Sequence, residues 1–166
     1  MNLSVEDVRK LGQAAMLHDI GKMFIPVRVL DKRGDLSPTE IEIIKRHPKY
    51  GADLISQEID SPEIIYGVLH HHERWNGRGY PGRLKGEAIP FFSRIIAVAD
   101  AFDAMTNPRP YRVHNLRPSE ALSEIEIHAG TQFDPEICRV ICKGGSNQEW
   151  NNSRATAAKN QCRDRS

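Results

Sequence analysis

Two short runs in this sequence set imidazole beside carboxylate: His18-Asp19 and His71-His72-Glu73. Neutral imidazole together with carboxylate suits a divalent first-row metal, and no thiolate is needed. A lone histidine is more often an ordinary surface or core residue. The runs gain weight from a third segment, RIIAVADAFDAMT, at 94–106. At helical spacing, Ile95, Val98, Ala99, Phe102 and Met105 share one face, and Asp100, Asp103 and Asn107 share another. Ile96 falls in that second sector and the rest of the segment is apolar, so an aspartate there needs a partner, most cheaply a cation. Asp100 is therefore read as a metal ligand and Asp103 as a residue that orients one. Two divalent ions held by such a cluster suit phosphoester hydrolysis, because they lower the pKa of bound water and offset phosphoryl charge. Substrate charge also requires cations. Lys22 stands four residues after His18 and projects to the same side if the helix persists, and Arg109 and Arg112 follow the aspartate helix in RPYR. Arginine grips phosphate bidentately, whereas lysine acts as a point charge.

Helices must position these groups. Ser4 and Asp7 form the capping box of a first helix, whose apolar face (Val8, Leu11, Ala15, Leu17) runs up to His18. Gly21 lets the chain turn after Ile20. The stretch 24–38, punctuated by Pro26, Gly34 and Pro38, reads as a loop. Ser37, Pro38 and Glu40 open a helix running to His47, with a break marked by Pro48 and a further helix through Ile55. Helices are also expected over 62–74, 91–107 and 117–129, with a last short one over 133–142. The segment WNGRGYPGRLKGEAIP between two of them is a long loop, and such loops inside compact domains usually carry function. No stretch alternates as a strand does, so the expected fold class is all-α, a helical bundle over 1–143. Residues 144–166 are polar and aperiodic and are expected to be a disordered tail.

Composition narrows the class. With 166 residues, 39% hydrophobic and 27% charged, the chain can build one core. A net charge of +1 speaks against broad attraction to nucleic acid polymers or to membrane surfaces. No apolar run is long enough to span a bilayer, and the N-terminus lacks a secretory signal's apolar core. Three cysteines with no CxxC pair fit a reducing cytoplasm, with Cys138 and Cys142 as packing residues.

Taken in order, HDIGK at 18–22 with Ile25-Pro26, RHP with His47, HHERWNGRGYP at 71–81, ADAFDAMTNPRPYR at 99–112 and GTQFDP at 130–135 resemble the HD-GYP domain. GRGYP separates that family from the wider HD hydrolases. The resemblance implies a helical bundle with two or three metal ions, usually iron or manganese, that hydrolyses cyclic di-GMP to pGpG and often to GMP. By position it implies His18, Asp19, His47, His71, His72 and Asp100 as metal ligands, with Asp19 bridging. It implies Lys22 at the scissile phosphate, and Gly79, Tyr80, Pro81, Arg109, Tyr111 and Arg112 near the substrate. Glu73 and Asp103 are expected to support the ligands. GGDEF-type or other signalling proteins are implied as partners of the GYP loop.

Family members carry further helices before HDIGK, with another histidine and, in three-metal members, a glutamate. Only 17 residues precede His18 here, so the chain reads as N-terminally truncated, with weakened activity and a tendency to self-associate. Two alternatives stand beside hydrolysis of cyclic di-GMP. One is a degenerate module that binds ligand or partner proteins without turnover, and the other is an HD phosphohydrolase acting on another nucleotide.

Overall fold

A computed structural model describes residues 3–108 and 115–145. Those residues form eight α-helices: α1 (Val5–Leu17), α2 (Val27–Leu30), α3 (Pro38–Ile44), α4 (His47–Ile55), α5 (Pro62–Leu69), α6 (Phe91–Thr106), α7 (Pro118–Ile127) and α8 (Pro135–Gly145). Two 3₁₀ turns, Ile20–Phe24 and Gly86–Ala88, complete the order. Among the described residues the only bridge is an isolated one between Ala129 and Phe133, so the fold is all-α as expected.

Helix α6 is the central element. Its Phe92 and Ile96 join Ala14, Ile55, Ile64 and Val68 in one apolar cluster, while its Val98 joins Ile125, Phe133, Ile137 and Cys138 in a second. Helices α1 and α4 pack on α5, and α5 packs on α6, whereas α7 and α8 pack on its other side. Both capping boxes read from the sequence are present, with the Ser4 and Ser37 side chains accepting from the Asp7 and Glu40 amides.

Several boundaries differ from expectation, each for a local reason. Helix α3 stops at Ile44, and α4 begins at His47 with Pro48 in its first turn. A proline lacks only an N–H that a first turn leaves unused, so the break falls before it rather than at it. Helix α5 ends at Leu69, not at residue 74, and residues 70–72 form a turn. The supposed loop 24–38 contains the short helix α2. Ala99 is exposed rather than part of the α6 core face. The described part of α8 extends to Gly145, past the expected end of order at 143. The remainder of the expected tail lies outside the described residues. No described helix is long and apolar enough to cross a membrane.

Candidate metal centre

Three helix ends converge here. His18 is the C-cap of α1, His47 opens α4 one turn after α3, and His71 lies in the turn after α5. Each ring uses Nδ1 in the same way. His18 Nδ1 donates to the Ala15 carbonyl at 2.6 Å, His47 Nδ1 to the Ile44 carbonyl at 2.7 Å, and His71 Nδ1 to the Val68 carbonyl at 2.6 Å. These carbonyls lie in the last turn of a helix, where intrahelical partners run out. A carbonyl only accepts, so Nδ1 carries the hydrogen and Nε2 of the neutral ring keeps its lone pair for a ligand. Orientation that the sequence assigned to Asp103 and Glu73 is thus supplied, for these three rings, by main-chain oxygens.

Asp19 joins the groups. Its Oδ1 lies 3.3 Å from His47 Nε2 and its Oδ2 lies 3.4 Å from His18 Nε2. Asp100 Oδ1 faces the same His18 nitrogen at 3.8 Å, and His47 Nε2 and His71 Nε2 stand 3.4 Å apart. Asp19, His47, His71 and His72 each offer a donor atom, and all four lie within 4.8 Å of one another, a cluster that could hold a metal ion. Donors bound to one ion at ~2.0–2.2 Å with angles near 90–110° stand ~3.0–3.5 Å apart, which is the spacing of the Asp19–His47, Asp19–His18 and His47–His71 pairs. His18 Nε2 is buried and makes no hydrogen bond, although Asp19 Oδ2 at 3.4 Å and Asp100 Oδ1 at 3.8 Å both face it. That orphaned atom between two carboxylates fits a cation.

Electrostatics agree with this arrangement. Asp100 and then Asp19 push His18 up to about 10, so the two carboxylates favour positive charge at this position. Burial and the neighbouring imidazoles hold His71 down to about 3 and His72 to about 4, keeping both neutral as ligands must be. Burial pushes the Asp19 carboxyl up, but His18, His47 and Lys22 together hold it well below the usual carboxylate range. Lys22 Nζ donates to Asp19 Oδ2. It arrives there through the Ile20–Phe24 3₁₀ turn, in which residues i and i+3 eclipse, and not by an extension of α1.

Gly21 makes the convergence possible. A Cβ there would stand 2.0 Å from the His47 carbonyl oxygen, so only glycine lets the 19–24 turn lie against α4. Gly79 plays the same part in the loop, where a Cβ would meet the Glu73 and Arg74 backbone at 2.4 Å. Tyr80-Pro81 is a cis peptide, and the Tyr80 ring stacks on His72 with centroids 4.9 Å apart. Glu73 is buried and does not approach a histidine of the cluster. It accepts from the Gly82 amide at 2.5 Å and the Leu84 amide at 3.1 Å, closing the loop on itself. GTQFDP, which the sequence matched without a role, anchors the loop from outside. Trp75 and Asn76 donate their amides to the Gln132 and Thr131 carbonyls, and Asp134 takes Arg94 Nη1 at 2.7 Å while that guanidinium lies 5.9 Å from the Trp75 ring.

A cleft of about 920 Å³ opens between the histidine cluster and this loop. His71, His72 and Asp100 of the cluster line it together with Gly79, Tyr80 and Pro81 of the loop. Its walls also carry Lys45, Arg46, Arg74, Arg78 and Arg83, none of which was singled out from sequence. The available signal was the density of basic residues immediately flanking His47 and His71-His72. Asp103 is exposed and accepts from Asn107 Nδ2, so the burial that motivated a supporting role for it does not hold. Arg109, Tyr111 and Arg112 lie outside the described residues. His70 faces Glu73 Oε1 at 3.5 Å.

A family model for the HD domain matches residues 1–137. The chain is 45% identical over 147 residues to a cyclic di-GMP phosphodiesterase of Thermotoga maritima, covering 86% of this chain and 39% of that protein. It is 42% identical to the cyclic di-GMP phosphodiesterase response regulator RpfG of Xanthomonas campestris pv. campestris, over 90% of this chain and 40% of the relative. The solved structure of a cyclic GMP-AMP specific phosphodiesterase of Vibrio cholerae superposes with a TM-score of 0.66 at 28% identity, covering 89% of this chain and 40% of that one. The chain thus spans about 40% of the length of these proteins. Its helical architecture, its histidine–aspartate cluster and these likenesses agree: the chain belongs to the HD domain family and is of the HD-GYP type.

Proposed function

We propose that this chain is the hydrolytic portion of a metal-dependent phosphodiesterase that opens cyclic di-GMP to pGpG and carries it onward to GMP. The observation that carries the reading is Asp19, whose two oxygens face two different histidines beside a cleft lined with cations. His18, Asp19 and Asp100 would hold one divalent ion, and His47, His71 and His72, with the other oxygen of Asp19, a second. The all-nitrogen and oxygen donor set suits iron or manganese. When bound, such ions supply an activated water and neutralise charge on the phosphoryl oxygens.

The chain's own groups do the rest. Main-chain carbonyls hold the imidazoles in the tautomer that presents Nε2. Lys22 keeps a positive charge against Asp19, where it can meet charge that grows on the scissile phosphate. Tyr80, fixed on His72, closes one wall of the cleft. The contact with GGDEF-type partners that the GYP loop suggests would have to use Pro81, which is exposed, since Gly79 is buried and Tyr80 is half-buried.

A second reading, cyclic GMP-AMP as substrate, is favoured by the specificity of the Vibrio cholerae phosphodiesterase that superposes on this chain. Manganese-loaded protein incubated with each dinucleotide, with products separated by chromatography, tests both. Hydrolysis of cyclic di-GMP at the higher kcat/KM is the expected result. Metal-independent turnover, or none with either dinucleotide, would overturn the proposal.

A further inference from the structure

The described arginines fall into three groups: those that grip a carboxylate, those that line the cleft, and Arg28 and Arg33, which are exposed and do neither. Arg9, Arg94, Arg117 and Arg139 each grip a carboxylate, those of Glu6, Asp134, Glu120 and Glu136. Arg46, Arg74, Arg78 and Arg83 all line the cleft, and none of them pairs with a carboxylate among the described residues. The acids of the cleft are already engaged. Glu42 holds Lys45 at 2.6 Å, Glu73 is taken by two loop amides, and Asp100 faces His18. Four guanidinium groups are therefore left uncompensated around a cavity that already ends on a metal-type cluster. Clustering like charges without partners is unfavourable, and an anionic ligand relieves it.

Arg83 adds a second observation. It is the one described residue other than glycine with a positive φ, 53°, a conformation in which most side chains are disfavoured. Gly82 precedes it, so the turn had a cheaper residue next door. Strain of this kind tends to collect at ligand clamps, where the surroundings hold a side chain to a task. The cleft is also much larger than one phosphate requires. At about 920 Å³ it lies near the upper end of the ~300–1,000 Å³ usual for small-molecule sites.

We propose that Arg78 and Arg83, with Arg46 and Arg74 beside them, form a second phosphate subsite that holds the phosphodiester group not being cleaved. This rests on the cyclic dinucleotide reading above and goes beyond it. The cluster takes the reacting phosphate, and the arginines grip the other one bidentately. The subsite makes the cleft selective for substrates with two phosphates. A diester with one phosphate reaches the cluster without using the arginines at all.

The test uses manganese-loaded protein in three forms: wild type, the Arg78→Ala/Arg83→Asn variant, and the Arg28→Ala/Arg33→Ala variant. Asparagine is chosen at 83 because it tolerates the left-handed backbone. The third form removes the same charge from exposed arginines that do not line the cleft. Two quantities are measured. The first is the dissociation constant of a fluorescently labelled cyclic di-GMP, read by rapid mixing before turnover. The second is kcat and KM for cyclic di-GMP and for bis(p-nitrophenyl) phosphate, which has a single phosphate. Loss of a charge-assisted grip should weaken binding and raise KM for cyclic di-GMP about 10-fold or more in the cleft variant. Its kinetics on the single-phosphate diester should match wild type, and the third form should match wild type on both substrates.

Equal losses on the two substrates, equal losses in the two variants, or no loss at all would overturn the subsite. If wild type binds cyclic di-GMP without cleaving it, the proposed activity fails, and the change in dissociation constant still decides the subsite. If wild type does not bind it, both proposals fall.

Discussion

On the cluster side of the cleft, His18, His47 and His71 each spend one nitrogen on a main-chain carbonyl and present the other, and His47 and His71 are buried. On the loop side, Arg78 and Arg83 are exposed and no carboxylate holds their side chains, although the backbone beneath them is pinned by Glu73, by the 131–132 carbonyls and by the Arg94–Asp134 pair. One wall is hydrogen-bonded down to its side-chain atoms, and the other is anchored through its main chain. The difference matches two tasks. Metal ligands must be placed to within fractions of an ångström before the ion arrives, and their tautomer must be settled in advance. Groups that grip a flexible dinucleotide gain from reach, and they keep their hydration until the ligand comes.

Removing the residue that belongs to both halves of the cluster is the most severe way to probe this contrast. Asp19→Ala takes away both oxygens that face His18 and His47. We expect metal content, measured by atomic emission on the purified protein, to fall to background, and hydrolysis with it. Full metal content in that variant would refute the bridging assignment.

The loop side should fail differently. Arg94→Ala takes the ion-pair partner from buried Asp134, whose Oδ1 still accepts from the Glu136 and Ile137 amides, and breaking a buried pair commonly costs up to about 3–5 kcal/mol. The expected outcome is a clear fall in the thermal midpoint together with a rise in KM, while metal content stays at the wild-type level. Parallel loss of metal would show that the two walls are one cooperative unit and would dissolve the comparison.

Lys22→Ala tests the boundary between them. Lys22 bonds Asp19, yet its proposed task is directed at the substrate. Loss of one preorganised group of this sort typically lowers kcat by about 10²–10³ with little change in ground-state binding. Steady-state kinetics at saturating manganese would show it, and a change confined to KM would argue against a role in the transition state.

The smallest effect is expected from Glu73→Gln. The shape is kept, but one of the two loop amides loses its acceptor, which costs about 1–3 kcal/mol. Amide hydrogen exchange should quicken at Gly82 and Leu84 and stay unchanged at residues 15–19. Exchange that quickens equally at both places would mean that the loop backbone is not separately anchored.

Much of the cluster side was legible in the sequence. His18-Asp19 and His71-His72 were named because imidazole beside carboxylate is a compositional signal that needs no coordinates, Asp100 because an aspartate on an apolar helix needs a partner, and His47 through the family resemblance. The helices that carry them were readable from the Ser4 and Ser37 capping boxes and from the apolar spacing of 91–107. The spacing did not reveal where helices stop. The expected helix over 62–74 ends at Leu69, and that early stop is what turns the Val68 carbonyl toward His71 Nδ1. Asp103 was judged by its helical phase and the apolar residues around it, yet it is exposed, because phase tells which way a side chain points and not what covers it.

The sequence by itself determined the donor atoms and the elements bearing them, since ligand chemistry belongs to residue types and helix formation belongs to local spacing. Only the tertiary structure decided that Asp19 divides its two oxygens between His47 and His18, and that Arg46 shares a cleft with Arg78 and Arg83, 32 or more positions along the chain. Such groups meet through the packing of α4 and α5 and the anchoring of the 73–84 loop. Close approaches at Gly21 and Gly79 fix that packing, and a linear pattern carries no measure of distance between segments that touch only after folding.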